Sequence, residues 1–144
     1  MTKYKQGIIP SVKTKVIGND RKSVSKYYSE NLQGKTVVNK DLKISIKFNA
    51  IGKGEISYGR SIHSKKVAVL QCLEVLLSEA EYNNFGIRKA SDDLSVLGYL
   101  NFKAKVRIDG KLEYVRLTVL MKKDGKIYYH HEINMKKQPN TQSL

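Results

Sequence analysis

The chain has 144 residues, which is room for one domain with a hydrophobic core and not comfortably for two. Its single cysteine excludes an internal disulfide and a cysteine-based metal cluster, and its longest apolar-rich stretch, Val67 to Leu77, is too short to span a bilayer. The formal net charge of +14 favours a polyanionic partner such as nucleic acid, an acidic protein or an anionic membrane surface.

The N-terminal part is predicted to be a basic lead-in followed by a helix. Residues 1–18 are rich in turn formers and lack the apolar run of a secretory signal. Asp20 is a candidate N-cap for a helix that reaches about Leu32. We therefore expect three regions: a basic lead-in and helix (1–35), an α+β nuclease-like domain (36–135) and a polar tail (136–144).

The middle of the chain predicts one strand and one long helix. Residues 42–48 alternate strictly between apolar and polar side chains, which is typical of a half-buried strand. Ser61 or Ser64 can cap a helix that ends near Ala80, with apolar residues at helical spacing. Cys72 falls inside that apolar pattern, so we expect it to be buried rather than reactive.

The C-terminal part predicts a three-stranded antiparallel meander. Leu100–Ile108, Leu112–Lys122 and Lys126–Met135 are strand-like, and Asp-Gly pairs at 109–110 and 124–125 are strong hairpin signals. The expected fold class is therefore α+β, with N-terminal helices packed on a twisted antiparallel sheet of about four strands.

Alternation sorts the meander into an apolar face and a polar, basic face. Cations for phosphates, interleaved with aromatic rings for bases, are typical of a surface that binds single-stranded nucleic acid. A merely solvated sheet face is the alternative interpretation. The polar face is predicted to carry Lys103, Lys105, Arg107, Tyr114, Arg116, Thr118, Tyr128 and His130.

The sequence contains no zinc-binding spacing, no phosphate-binding loop and no serine-hydrolase elbow, so we expect neither a metal nor a cofactor. What remains is acid–base chemistry by histidine, with a cation that stabilises charge. RNA supplies its own nucleophile, the 2′-hydroxyl, so its cleavage needs only a base, an acid and a cation beside the phosphate.

His63 lies at the predicted helix start, where free backbone N–H groups attract a phosphate and the helix dipole favours a neutral imidazole. It is our candidate base, although a capping or packing role is equally compatible with its position. His131 or His130 is the candidate acid, and an arginine can hold the phosphate with a bidentate contact. His131 has apolar neighbours, which is also typical of a core histidine.

Three segments carry a resemblance to a known group of proteins: GKGEISYGRSIHSKK at 52–66, LLSEAEY at 76–82 and VRIDGKLEYVRLTVLMKKDGKIYYHHE at 106–132. Over roughly 50–135 the chain resembles the polyvalent-protein and phage MuF-associated C-terminal toxin domains of the barnase–EndoU–colicin–RelE ribonuclease superfamily. The positions that match the pattern of these domains are His63, Arg116, Thr118, Tyr129, His131 and Glu132.

The resemblance implies a contact-dependent toxin ribonuclease, often specific for tRNA, and an acidic immunity protein that covers its site. It implies export within a larger toxin and action in the target-cell cytoplasm, without membrane insertion by this domain. Arg116, with Arg60 as a possible helper, would hold the phosphate, and Thr118 and Tyr129 would orient the substrate. Glu132 and His130 would support the acid and base, and Lys65 would add to the RNA contacts. The alternatives are a non-catalytic RNA- or DNA-binding module and a basic protein-interaction domain.

Overall fold

A computed structural model describes residues 4–49 and 64–136, with side chains as far as residue 129. In chain order the elements are β1 (Ser11–Val12), α1 (Arg21–Asn31), β2 (Thr36–Asn39), β3 (Ile44–Lys47), α2 (Ser64–Val69), a 3₁₀ turn (Leu70–Cys72), α3 (Leu73–Glu79), β4 (Glu81–Ile87), β5 (Val96–Ile108), β6 (Lys111–Lys122) and β7 (Ile127–Lys136).

The seven strands form one mixed sheet in the order β1-β5-β6-β7-β3-β2, and β4 also pairs with β5. The β1–β5 and β3–β7 pairs are parallel and the other pairs are antiparallel. One edge of the long strand β5 is therefore shared: β4 covers its first part and β1 covers its end.

The expected fold, helices on an antiparallel sheet of about four strands, is wrong. The described chain is mostly β, because β1, β2 and β4 add three strands that the sequence patterns did not show, and two of the pairings are parallel. The three strands of the meander are present close to their predicted bounds. Asp109 and Gly110 both have positive φ angles, 51° and 84°, as their hairpin turn requires.

The hydrophobic core lies between the helices and one face of the sheet, which we call the core face. It collects apolar side chains from α1, the helical segment 64–79 and alternate residues of β5, β6 and β7. Three aromatic rings pack at its centre, where Phe48 lies 6.2 Å from Tyr28 and 5.4 Å from Tyr129 between ring centroids. Burial raises the pKa of both tyrosine hydroxyls.

Cys72 lies in this core, as predicted. Its side chain is buried, and burial raises the pKa of its thiol to about 12. The thiol is therefore protonated at neutral pH and is a poor nucleophile. Within the described residues no helix is long and apolar enough to cross a membrane.

The segment 4–10 is fixed by a buried carboxylate at the end of α3. One oxygen of Glu79 accepts hydrogen bonds from the backbone N–H groups of Gly7 (2.9 Å) and Ile8 (3.0 Å). The other oxygen pairs with Lys40. The hydrogen bond from Lys40 is the main cause that holds the pKa of Glu79 below its ordinary value.

Gln6 closes a gap in the sheet edge between β4 and β1. Its side-chain oxygen accepts from the backbone N–H of Lys105 (2.7 Å), and its Nε2 donates to the carbonyl of Lys105 (2.9 Å). The amide thus replaces one residue of a neighbouring strand, and it satisfies a backbone pair that the two short strands leave uncovered.

Candidate nucleic-acid interface

The second face of the sheet, which we call the outer face, is the predicted polar face. Along β5 the side chains alternate regularly between buried and accessible. The strand register assigns the outer-face positions of β6, β7 and β3, although Thr118 and Leu120 of β6 are buried at those positions. The described side chains on it include Lys47, Glu81, Asn84, Tyr99, Asn101, Lys103, Lys105, Arg107, Leu112, Tyr114, Arg116, Thr118, Leu120 and Tyr128.

Strand register arranges these side chains in rows that run across the sheet, with roughly 7 Å between successive rows. From one end to the other, the rows pair Tyr99 with Leu120 and Tyr128, Asn101 with Thr118, Lys103 with Arg116, Lys105 with Tyr114, and Arg107 with Leu112. Aromatic, amide and cationic rows therefore succeed one another along the strands.

Lys103 and Arg116 place two positive charges directly opposite each other on β5 and β6. Like charges at such cross-strand positions repel and destabilise a sheet. Glu81 is opposite Lys103 on β4, but its carboxylate accepts from the backbone N–H of Gln6 at 3.4 Å. In the described part of the chain the ion pairs are Lys35–Glu74, Lys40–Glu79 and Lys65–Glu113, none of which neutralises this row.

Arg116 has a further unmet requirement. Its Nε atom is buried, and it has no hydrogen-bond partner among the described residues. A buried donor without an acceptor costs about 1–3 kcal/mol. An anion bound between Arg116 and Lys103 would relieve the repulsion between the two cations.

The aromatic residues lie among these cations. The Lys105 ammonium is 5.9 Å from the centre of the Tyr114 ring, within the range of a cation–π contact. Tyr128 is half-buried at the opposite end of the face, beside Lys47 of β3. The described cations and tyrosines of the predicted polar face therefore lie on one face of the sheet.

A chain of hydrogen bonds crosses the outer face from β6 to β4. The Thr118 hydroxyl donates to Oδ1 of Asn101 (2.9 Å), and Nδ2 of Asn101 donates to Oδ1 of Asn84 (2.9 Å). Neither asparagine was among the predicted site residues, and Asn83, Asn84 and Gly86 have low strand propensity, so β4 was not predicted. Only the strand register, which places Asn84 opposite Asn101, brings these side chains together.

The structure divides the predicted catalytic residues between the two faces. Arg116 and Thr118 lie on the outer face, and Thr118 is largely buried there. Tyr129 lies on the core face and is only 1% exposed. Lys65, a predicted RNA ligand, pairs with Glu113 at 2.8 Å.

The remaining predicted residues cannot be placed. His63 and Arg60 lie outside the described residues, and so do the side chains of His130, His131 and Glu132. The backbone of β7 shows that Thr118 is opposite His130, whereas Arg116 is opposite Asn134. Positions 131–133 therefore form an irregularity in the strand beside Leu117 of β6.

The donor sets of metal sites are not assembled in the described parts of the chain: no group of three His, Cys, Asp or Glu side chains could hold a metal ion there. The described side chains of the outer face are mainly cations, amides, a hydroxyl and aromatic rings, with one carboxylate (Glu81) and two leucines (Leu112 and Leu120). It suits an anionic, aromatic ligand.

Comparisons with known proteins give one finding. No curated protein and no solved structure matches the chain significantly. The model of one family, described as large polyvalent protein-associated domain 3, matches residues 15–129, which include α1, the helical segment, and β2 to β6 in full. The chain belongs to the large polyvalent protein-associated domain 3 family.

Proposed function

We propose that this domain binds single-stranded RNA on the outer face of its sheet, as a module of a polyvalent protein. The observation that carries the proposal is the Lys103–Arg116 row, where two cations lie opposite each other and neither forms an ion pair in the described part of the chain. A phosphodiester supplies what this row lacks. Its oxygens accept from guanidinium and ammonium groups, and its charge offsets both cations.

The rows on either side of this position suit the rest of a nucleotide chain. Lys105 and Arg107 continue the positive charge along β5, two residues apart on the same face. Tyr114 offers a ring for base stacking next to the cations, and stacking on aromatic side chains is how many proteins hold unpaired bases. A duplex does not present its bases in this way, so the face favours single strands.

A pair of charge reversals tests the proposal. In Lys103→Glu/Lys105→Glu, binding of a fluorescent oligouridylate, followed by anisotropy over a series of salt concentrations, should weaken strongly. The slope of log affinity against log salt should fall by about 1.4, because two phosphate contacts are lost.

Lys22→Glu/Lys26→Glu is the matched control. It makes the same change in net charge on exposed residues of α1, away from the outer face. Its effect on affinity and on the salt slope should be small. If both double variants weaken binding equally, the protein attracts RNA only through its total charge and the outer face is not the site.

The second candidate function is metal-independent cleavage of the bound RNA by a toxin. The specific observation is the irregularity of β7 at 131–133, beside Arg116 and Thr118, since such departures from regular pairing are common next to active sites. A base would take the proton of the 2′-hydroxyl, which attacks the adjacent phosphorus. An acid would protonate the departing 5′-oxygen, and Arg116 would stabilise the charge on the phosphorane.

Incubation of the domain with total bacterial RNA and excess EDTA, followed by a denaturing gel, tests this candidate. Discrete fragments that disappear in His131→Ala or His63→Ala would support it. RNA that stays intact at stoichiometric protein would contradict it and leave the binding function. An acidic protein that blocks the same face would compete with RNA in the anisotropy assay, as an immunity partner should.

A further inference from the structure

The outer face contains a bare patch where β4 meets β5. Gly86 lies opposite Tyr99 and has no side chain to cover the strand at this position. A Cβ atom built at Gly86 would lie 3.6 Å from Nδ2 of Asn101 and 4.0 Å from Cβ of Tyr99, which are ordinary contacts. A small side chain would therefore fit, so the missing side chain leaves a cradle between an amide and an aromatic ring.

A β-bulge creates this cradle. The register between β4 and β5 shifts between Tyr82 and Asn84, so Asn83 is an extra residue. Without the shift, Asn83 would be opposite Asn101, and Asn84 and Gly86 would be turned to the core face. Instead Asn84 and Gly86 both lie on the outer face, next to the cationic rows.

The strand is fixed in this position from the core face. Phe85 lies against Gly98 of β5, where a Cβ atom would come within 2.3 Å of Cζ of Phe85 and 2.5 Å of the Gly86 carbonyl oxygen. Only glycine at position 98 allows β4 to approach so closely. The close packing of β4 on Gly98 therefore holds the cradle in place, even though β4 pairs with only one strand, β5.

The chain of hydrogen bonds from Thr118 through Asn101 to Asn84 leaves one edge of the Asn84 amide without a partner in the described residues. Thr118 donates to Oδ1 of Asn101, which leaves Nδ2 of Asn101 to donate to Oδ1 of Asn84. These bonds fix the orientation of the Asn84 amide. Asn84 is exposed and retains both Nδ2 hydrogens and a second Oδ1 lone pair, so it presents a donor beside an acceptor.

We propose that Gly86, Tyr99 and Asn84 form a subsite for one adenine base of the RNA, an inference that rests on the proposed binding function. The donor–acceptor edge of Asn84 complements the N7 acceptor and N6 amino group of adenine, the pairing by which asparagine reads that base. The base would lie in the cradle over Gly86 against Tyr99. A phosphate of a neighbouring nucleotide would reach Lys103 and Arg116, whose row lies two rows from Tyr99, about 14 Å away.

The other bases fit less well. Guanine and uracil present a carbonyl oxygen where adenine presents its amino group, so they would set an acceptor against Oδ1 of Asn84. Cytosine has an amino group beside a ring nitrogen, but its single ring offers less area for contact with Tyr99. The expected order of affinity is therefore adenine, then cytosine, then uracil.

Anisotropy titrations with oligoadenylate, oligocytidylate and oligouridylate of equal length, about twelve nucleotides, measure this order directly. The folded full chain should bind oligoadenylate about tenfold more tightly than oligouridylate, the discrimination that a bidentate amide contact provides. Equal affinity for the three oligomers would overturn the adenine subsite.

Two variants locate the preference. Gly86→Val fills the cradle and Asn84→Ala removes the reading amide, so each should weaken oligoadenylate binding more than oligouridylate binding and abolish the preference. Asn83→Ala is the matched control, because it removes an exposed asparagine that takes no part in the hydrogen bonds between Thr118, Asn101 and Asn84. This variant should keep the preference for oligoadenylate. Circular dichroism checks that each variant is folded.

The outcomes separate the two levels of the proposal. If all oligomers bind equally and Lys103→Glu/Lys105→Glu still weakens them, the adenine subsite is wrong and the RNA-binding face stands. If the chain binds none of the oligomers, the proposed function fails and the subsite fails with it. If Gly86→Val and Asn84→Ala weaken all three oligomers by the same factor, these residues do not read the base.

Discussion

The two faces of the β5–β6 hairpin treat charge in opposite ways. Near the core face, Lys65 pairs with Glu113, and at the end of α3 Lys40 pairs with the buried Glu79. On the outer face, Lys103 and Arg116 face each other across two strands, and no carboxylate of the described chain pairs with them. Lys65 and Lys40 are thus neutralised by carboxylates within the molecule, whereas Lys103 and Arg116 remain available to an anionic ligand.

The contrast extends to two tyrosines that are neighbours in the sequence. Tyr129 is buried against Phe48 in the core, whereas Tyr128 lies half-buried on the outer face. Substitutions that affect stability should therefore concentrate on one face and those that affect RNA binding on the other.

The largest expected effect comes from Tyr129→Ala. Removal of a fully buried aromatic ring leaves a cavity beside Phe48 and should lower the free energy of unfolding by about 3–5 kcal/mol. Urea denaturation followed by circular dichroism measures it. Tyr128→Ala is the matched control and should cost less than about 1 kcal/mol. Similar costs for the two variants would contradict the division between the faces.

A smaller loss is expected from Glu79→Gln, about 1–3 kcal/mol, because the carboxylate accepts from Gly7, Ile8 and Lys40. The pKa of Glu79 is lowered in the folded state, so the contribution of its charge is present above the ordinary glutamate pKa. It is lost as the pH falls through the lowered value.

The difference in stability between wild type and Glu79→Gln should accordingly be largest near neutral pH and shrink on acidification. Urea denaturation at a series of pH values measures it. Glu30→Gln, at an exposed position of α1, is the control and should show little pH dependence. A difference that grows towards acid pH would show that the charge of Glu79 does not stabilise the N-terminal segment.

The smallest expected effect on stability comes from Lys103→Gln/Arg116→Gln. Removal of two opposed cations should leave the free energy of unfolding unchanged or raise it by at most about 1 kcal/mol. RNA affinity should fall in the same variant, measured by anisotropy. A clear loss of stability would mean that these two cations stabilise the sheet, which would contradict the proposed difference between the two faces.

The features that could be predicted from the sequence are those that depend on residues close together in the chain. The Asp109-Gly110 turn follows from the positive φ angles that this pair adopts readily. The alternation of β5 and β6 follows from a period of two, and it correctly assigned Lys103, Arg116 and Tyr128 to one face. The same alternation placed Tyr129 on the apolar face, where the structure has it.

The missed elements depend on distant parts of the chain. β1 consists of only two residues and has no periodicity of its own, since it is defined by the end of β5. β4 contains Asn83, Asn84 and Gly86, which have low strand propensity, so its pairing with β5 overrides a local preference for a turn. The hydrogen bonds between Thr118, Asn101 and Asn84 and the cradle at Gly86 depend on that pairing, so they could not be predicted without it.

The amide of Gln6 has a consequence for the order of folding. It bonds to a residue 99 positions further along the chain, and the N-terminal segment closes the sheet only where β5 already exists. Contacts over such a separation form slowly, because a long loop must close before they contribute. During synthesis the N-terminal segment can therefore make these contacts only after β5 has left the ribosome. We expect this segment to be among the last parts of the chain to fold.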